Sequence, residues 1–181
     1  RLPQRPSDPA FVGLLQEAMR AHQAGELDTA ERLYGEVLAL HAAQPDALHF
    51  LGVLSHQRGR SDEAVLLISS ALKITPKHPD AHNNLGNVHK ECGRLADAER
   101  CYRKALACAP EHYHAQSNLA VVLEAQERLD DAFEAYSKLI EQAPTYAHGY
   151  YRLGLFLRNY AQSEEHLEQS AECFRESFRH D

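Results

Sequence analysis

The segment from Leu85 to Pro110 reads LGNVHKECGRLADAERCYRKALACAP, and its residues return along the chain. Leu51-Gly52, Leu85-Gly86, Leu119-Ala120 and Leu153-Gly154 follow one another at intervals of 34 residues. Ala30, Ala64, Ala98 and Ala132 keep the same spacing, as do Gly25, Gly59 and Gly93, and again Pro76, Pro110 and Pro144. Four independent columns on one period mark a repeat architecture, in which each unit needs its neighbours to bury a core.

Numbering each unit from 1 to 34 gives every column a physical role. The small residue at position 8 (Gly52, Gly86, Ala120, Gly154) faces the small residue at position 20 (Ala64, Ala98, Ala132), so paired helices approach closely. A bulkier side chain at either place overpacks the contact, at a cost of about 1–3 kcal/mol. Gly at position 15 permits the left-handed backbone that ends a first helix, A. Pro at position 32 cannot continue a second helix, B, and fixes the turn into the next unit. Leu95, Ala98, Tyr102, Ala105 and Leu106 repeat at helical spacing within helix B.

Leu85, Gly86, Gly93, Ala98, Tyr102, Ala105 and Pro110 resemble the signature of the tetratricopeptide-repeat family, and the resemblance extends over residues 11–180. It implies an all-α fold, a right-handed superhelical solenoid of antiparallel helix pairs with a helix A and a helix B in each of five TPR units. The expected organisation is an N-terminal extension at 1–10, then TPR 1 at 11–44, TPR 2 at 45–78, TPR 3 at 79–112 and TPR 4 at 113–146. TPR 5 covers 147–181 and carries a four-residue insertion. The repeats are similar to those of O-linked N-acetylglucosamine transferases and of bacterial TPR-containing enzymes.

The departures from the pattern carry their own expectations. Ala42 replaces Pro at position 32 of repeat 1, so helix B there should run on until just before Pro45. Ser7, followed by Asp8 and Pro9, reads as a helix start with a capping hydroxyl. Glu127 stands where Gly sits in other turns, a small strain. In repeat 5 the extra residues fall around Arg158–His166, which predicts either a longer helix A or, the favoured reading, a longer turn near Ala161-Gln162-Ser163 with Ser163 capping helix B. Ser170 then takes position 20. Helix B of repeat 5 shows Leu167, Ala171, Phe174 and Phe178 at helical spacing, only part of which its own helix A can cover. That stripe, the missing initiator Met and the stop at Asp181 imply a piece of a longer protein with further repeats or another domain, or a second copy covering the end.

The resemblance implies that positions 2, 5, 6, 9, 12 and 13 of helix A line a concave groove for a protein or peptide partner. The expected peptide-binding residues are His49, Phe50 and His56 in repeat 2, and Asn83, Asn84, Asn87 and Lys90 in repeat 3. Asn118 in repeat 4 and His148, Tyr151 and Arg152 in repeat 5 complete the set. Asn84 and Asn118 share position 6, and a primary amide offers a donor and an acceptor to a peptide backbone. Asn83, Asn87, Asn118, His148 and Arg152 fall where chaperone-tail adaptors of the family hold a peptide carboxylate. Two of that family's lysines are replaced here. Capture of a carboxylate through Arg152 and the amides is the less demanding form of that idea.

Composition narrows the function classes. The net charge of −7, without a basic stripe, argues against a nucleic-acid partner. No apolar run reaches the ~20 residues of a membrane span, so membrane insertion is not expected. Cys92, Cys101, Cys108 and Cys173 form no C-x-x-C pair and read as small buried hydrophobes in a reducing compartment, most simply the cytoplasm. The twelve histidines lack ligand spacing; His78 and His82 are separated by Pro79, and His22 and His56 share position 12, colouring the groove. No phosphate loop, nucleophile elbow or H-E-x-x-H is present. The sequence therefore predicts a non-enzymatic protein-interaction scaffold that needs no cofactor or metal. The alternative is the N-terminal arm of a larger glycosyltransferase, methyltransferase or sulfotransferase, recruiting substrate or self-associating. A homo-oligomer through the C-terminal end is compatible with either.

Overall fold

The computed structural model describes residues 9–181, so the Ser7-Asp8 helix start lies outside the described residues. Ten helices and no strand occur among them. The chain divides into two compact units, residues 1–93 and 94–181. The first contains α1 (Pro9–Gln23), α2 (Leu27–Leu40), α3 (Pro45–Gln57), α4 (Ser61–Ile74) and α5 (Pro79–Glu91). The second contains α6 (Leu95–Cys108), α7 (Tyr113–Ala125), α8 (Leu129–Gln142), α9 (Ala147–Asn159) and α10 (Glu164–His180). Odd-numbered helices are helices A and even-numbered ones helices B. No described helix is long and apolar enough to cross a membrane.

The A-to-B turns follow from backbone chemistry. Gly25, Gly59 and Gly93 have φ of 77°, 77° and 71°, the left-handed region. In the second of these turns the Arg60 amide donates to the Ser55 carbonyl and the Gly59 amide to His56, which satisfies the last carbonyls of α3. Glu127 adopts the same conformation, with φ of 61° and the same pair of bonds, to Leu123 and Glu124. The turn thus forms without glycine, at the cost of a left-handed non-glycine residue.

Three helices A, α3, α5 and α7, start on a side-chain cap at position 34, whereas Tyr146 before α9 makes none. Gln44 Oε1 accepts from the Ala47 amide at 2.8 Å, and the Nδ1 atoms of His78 and His112 accept from Ala81 and Ala115 at 3.3 and 3.1 Å. These caps also bear on where helix B ends. Contrary to the expectation from Ala42, α2 stops at Leu40, the same position as α4, α6 and α8. His41 turns extended, its amide donates to Val37, and Gln44 donates back to His41 while capping α3. The start of the next helix sets the stop, with or without proline.

The insertion in repeat 5 is also divided differently from the expectation. The turn α9–α10 covers 160–163, one residue more than the three of 126–128, and α10 has 17 residues against 14 in α8. Three of the four extra residues therefore lengthen helix B at its start. Ser163 caps it, accepting from His166 at 3.3 Å, ahead of Glu164 and Glu165.

Each unit has its own core. In the first, Phe11, Ala18, Ala30, Tyr34, Val37, Ala47 and Leu54 pack together; in the second, Ala98, Tyr102, Ala120, Ala132, Tyr136 and Leu153 do. A Cβ built on Gly52 would meet Ile68 Cγ1 at 2.6 Å and the Ala64 carbonyl oxygen at 3.2 Å, which is the expected contact of positions 8 and 20. On Gly154 it would meet the Phe174 ring at 3.0 Å, and Ser170 at position 20 donates its hydroxyl to the Gly154 carbonyl at 2.8 Å. Cys101 and Cys173 are buried in this way, whereas Cys92 and Cys108 are exposed, against expectation; all four are free thiols. Leu167 and Phe178 of α10 stay 50% and 81% exposed, while Phe174 is held by α9.

Glycine substitutions should separate packing from propensity. Gly35 on α2 has nothing within 4 Å of an added Cβ, so Gly35→Ala should stabilise by about 0.5–1 kcal/mol. Gly52→Ala gains the same propensity but overpacks, and a net loss of about 1 kcal/mol is expected. Glu127→Gly should gain about 0.5–1 kcal/mol by relieving its left-handed backbone. Urea denaturation of the three variants measures all three signs.

Candidate functional site

Helices A lie side by side in the first unit, α1 against α3 and α3 against α5, and a regular bonding rule joins them. A polar residue of one repeat meets the residue 35 places later. His22 Nε2 and Gln57 Oε1 are 3.1 Å apart, His56 Nε2 and Glu91 Oε2 2.9 Å, and Asn84 Nδ2 donates to His49 Nε2 at 2.9 Å. Two positions per helix, 5 and 12, thus reach positions 6 and 13 of the next. Histidine suits this place because one ring nitrogen can take the neighbour while the other takes a local group. His22 Nδ1 lies 3.4 Å from the Tyr34 hydroxyl, and His56 Nδ1 lies 3.0 Å from Ser61 Oγ.

These bonds surround an open cleft of about 270 Å³ lined by Met19, His22, Tyr34, Phe50, Val53, Gln57 and Asn84. Phe50 is half-buried and stacks on Tyr34 at 6.3 Å and on His49 at 4.8 Å. Its floor is aromatic and aliphatic, its edge is amide and imidazole, and no formally charged residue lines it. Tyr34 is fully buried as a residue of helix B, and burial pushes its hydroxyl up to about 12. Groove positions of helix A alone omit Tyr34. The recurrence of Tyr34, Tyr102 and Tyr136 at position 24 is the signal that points to it.

The structure sorts the expected site residues. Phe50 and Asn84 meet in the cleft, with Val53 and Gln57 beside them. His49 and Asn83 are buried, at 1% and 7% exposure, so they support the surface from beneath. Asn83 Nδ2 donates to Asn84 Oδ1 at 3.4 Å, so the Asn84 amide is already engaged on both sides. His56 is held between Ser61 and Glu91, and Asn87 and Lys90 are half-buried on α5.

In the second unit, Asn118 is half-buried on α7, His148 and Tyr151 are exposed on α9, and Arg152 is half-buried. Arg152 hydrogen-bonds the Tyr136 hydroxyl, which itself donates to Glu124 Oε2 at 3.0 Å. The His148 ring lies 6.0 Å from Tyr146 and 6.3 Å from Tyr151. Partial burial, then the neighbouring Arg152 and His114, hold His148 below the usual histidine range. Three further histidines have structural duties: His78 and His112 are caps, and His82 Nε2 donates to the Pro76 carbonyl at 2.9 Å. Among the described residues, no three His, Cys, Asp or Glu side chains gather as a metal site.

Two family models, each described as a tetratricopeptide repeat, match residues 21–83 and 83–147. No curated protein matches the sequence. Among solved structures, Pseudomonas aeruginosa pilF is similar with a TM-score of 0.84 and 17% identity, over 95% of this chain and 77% of that one. MamA 41-end from Desulfovibrio magneticus RS-1 gives 0.77 and 20% identity, over 95% of each chain. YrrB, described as a TPR protein with an unusual peptide-binding site, gives 0.69 and 20%, over 93% of this chain and 84% of that one. At these identities the likeness is one of fold.

His49 couples this face to pH. Burial, then the neighbouring His78, lowers it from 6.5 to about 4, against opposing pulls from Asp80 and Asp46. Between those values the unfolded chain binds more protons than the folded one. His49's contribution is therefore complete above pH 6.5 and is lost as pH falls towards 4, by about 3 kcal/mol at most. Urea denaturation between pH 7 and 4 should show a shallower loss of stability for His49→Gln than for the parent. Parallel curves would refute the assignment.

Proposed function

The chain belongs to the tetratricopeptide-repeat family, and we propose that it is a non-enzymatic protein-interaction scaffold whose helix-A face takes an extended peptide of a partner protein. The cleft around Phe50 carries this reading. Rigid rings supply contact area at little entropic cost, and the amide and imidazole edge offers donors and acceptors to a peptide backbone. The same edge is fixed in place by the 35-residue bonding rule, so little ordering remains to be done on binding.

The lining also favours an uncharged anchor. A carboxylate placed here would meet no cation among the residues that form the cleft. Carboxylate capture is a separate matter for the second unit. There Arg152 is already shared with Tyr136, and the pKa of His148 is lowered, which disfavours its cationic form. That combination makes an acidic peptide the weaker candidate of the two. Asn84 belongs to the reading as a positioned amide, with its role set by His49 and Asn83 on either side.

Catalysis has little support in this face. A general acid or base needs a group whose pKa is shifted towards its task in a cleft. Here the strongly shifted groups are a buried supporting imidazole, His49, and a buried phenol, Tyr34.

The test starts from peptides selected out of a random phage-displayed library against the full chain, with affinities measured by fluorescence anisotropy. Val53→Glu puts a charge into the cleft and should weaken the selected peptides at least about tenfold. Leu66→Glu, at a site on α4 that is 70% exposed, should leave them unchanged. Equal affinity of the parent and Val53→Glu for every selected peptide would sink the proposal.

A further inference from the structure

Within the two units, repeats 1 and 2 and repeats 3 and 4 are each stapled by one ion pair along their helices B, and the junction of repeats 4 and 5 lacks it; repeat 2 has Val65 at the glutamate position. Glu31 at position 21 pairs with Arg60, position 16 of the next repeat, and also with Arg58 at 3.1 Å. Glu99, again position 21, pairs with Arg128 at 3.0 Å. In repeat 4 the residue at position 21 is Phe133, and the turn it faces holds Tyr160-Ala161-Gln162-Ser163, without a basic residue. The widened turn and the longer α10 border an open cavity of about 230 Å³ at that junction.

The cavity walls are largely aromatic, with one carboxylate. Phe156, 6% exposed, lies 6.2 Å from Phe133 and 5.0 Å from Tyr160; those two are 44% and 39% exposed. Leu129 and Leu157 complete the apolar lining, Gln162 and His166 add a polar edge in which His166 Nδ1 accepts from the Gln162 amide at 3.3 Å, and Asp130 is the one formally charged member. Asp131 and Glu134 belong to a different cavity of α8, beside Arg103 and Arg128, so Asp130 is the carboxylate that faces this one. The basic residues of the neighbouring helix ends are engaged elsewhere. Arg128 is bonded to Glu99 and Asp131, and the Arg158 guanidinium stands over the Phe174 ring at 6.0 Å.

From this geometry we infer a second recognition site, in which the cavity between α8, α9 and the α9–α10 turn receives the Lys or Arg side chain of a partner protein. The aliphatic stem packs on Leu129 and Leu157 while the cationic head meets the faces of Phe133, Phe156 and Tyr160 beside the Asp130 carboxylate. A partner side chain thereby takes the place that an arginine of the chain itself takes between repeats 1 and 2 and between repeats 3 and 4. The site is independent of the cleft around Phe50, because all its residues belong to the second unit.

N-acetyl-arginine amide, N-acetyl-lysine amide and the neutral N-acetyl-norleucine amide are the probes, titrated into the full chain and followed by NMR at residues 129–134 and 156–166. The two cations should shift these resonances saturably, with norleucine at least about fivefold weaker. Asp130→Asn and Phe133→Leu should each weaken the cations about threefold and leave norleucine unchanged. Val53→Glu, which disables the other cleft, should change nothing here. Norleucine binding as well as the cations would make the cavity merely apolar and overturn the proposal. So would the absence of a saturable shift at these residues with any of the three probes.

Discussion

Two helices of a hairpin come together here because a side chain is missing between them. At Gly52 the space for a Cβ is already taken by Ile68 and by the Ala64 carbonyl, and at Gly154 it is taken by Phe174. The contact forces small residues at positions 8 and 20, and it brings the larger apolar side chains around it to interior density. Everything else uses that closeness. The tyrosine at position 24 can be fully buried in helix B and still pass its hydroxyl to position 12 of helix A, as Tyr34 does to His22 and Tyr136 to Glu124. Ser170 shows the same economy in a variant form, filling position 20 and bonding the Gly154 carbonyl that faces it.

With that spacing fixed, polar side chains divide the remaining tasks. Imidazoles at position 34 cap helices, those at positions 5 and 12 reach the next helix A, and His82 closes a turn on Pro76. Histidine therefore serves as a joint here, and in His22 and His56 the two ring nitrogens face two different neighbours. Helix B uses charge for the same purpose, through Arg60 on Glu31 and Arg128 on Glu99. Surface pairs of this kind contribute little stability singly. They join repeats 1 and 2 and repeats 3 and 4, and at Phe133 rings stand where those pairs would be.

Much of the fold was legible because repeat columns report one physical demand several times. A glycine at 25, 59 and 93 predicts the left-handed turn, and Glu127 then marks a strained copy of it. Single departures were harder to read. Ala42 suggested a longer helix, but α2 ends at Leu40 because the cap and first turn of α3 govern the chain there. The insertion suggested a wide turn, but most of it became helix, since Ser163 with Glu164 and Glu165 makes a good start three residues early. The site was legible by position and not by role. His49 and Asn83 sit at groove positions, but packing of α3 against α5 buries them.

The sequence by itself determined the period, the order of the helices, the small-residue contacts and the face that helices A present. These follow from local backbone preferences and from volumes that recur every 34 residues. Tertiary structure alone decided which side chains on that face are spent and which are offered. A hydrogen bond between residues 35 apart, or a cavity walled by Phe133, Phe156 and Tyr160, depends on distances between helices. Those distances are set by packing, and no spacing along one helix encodes them.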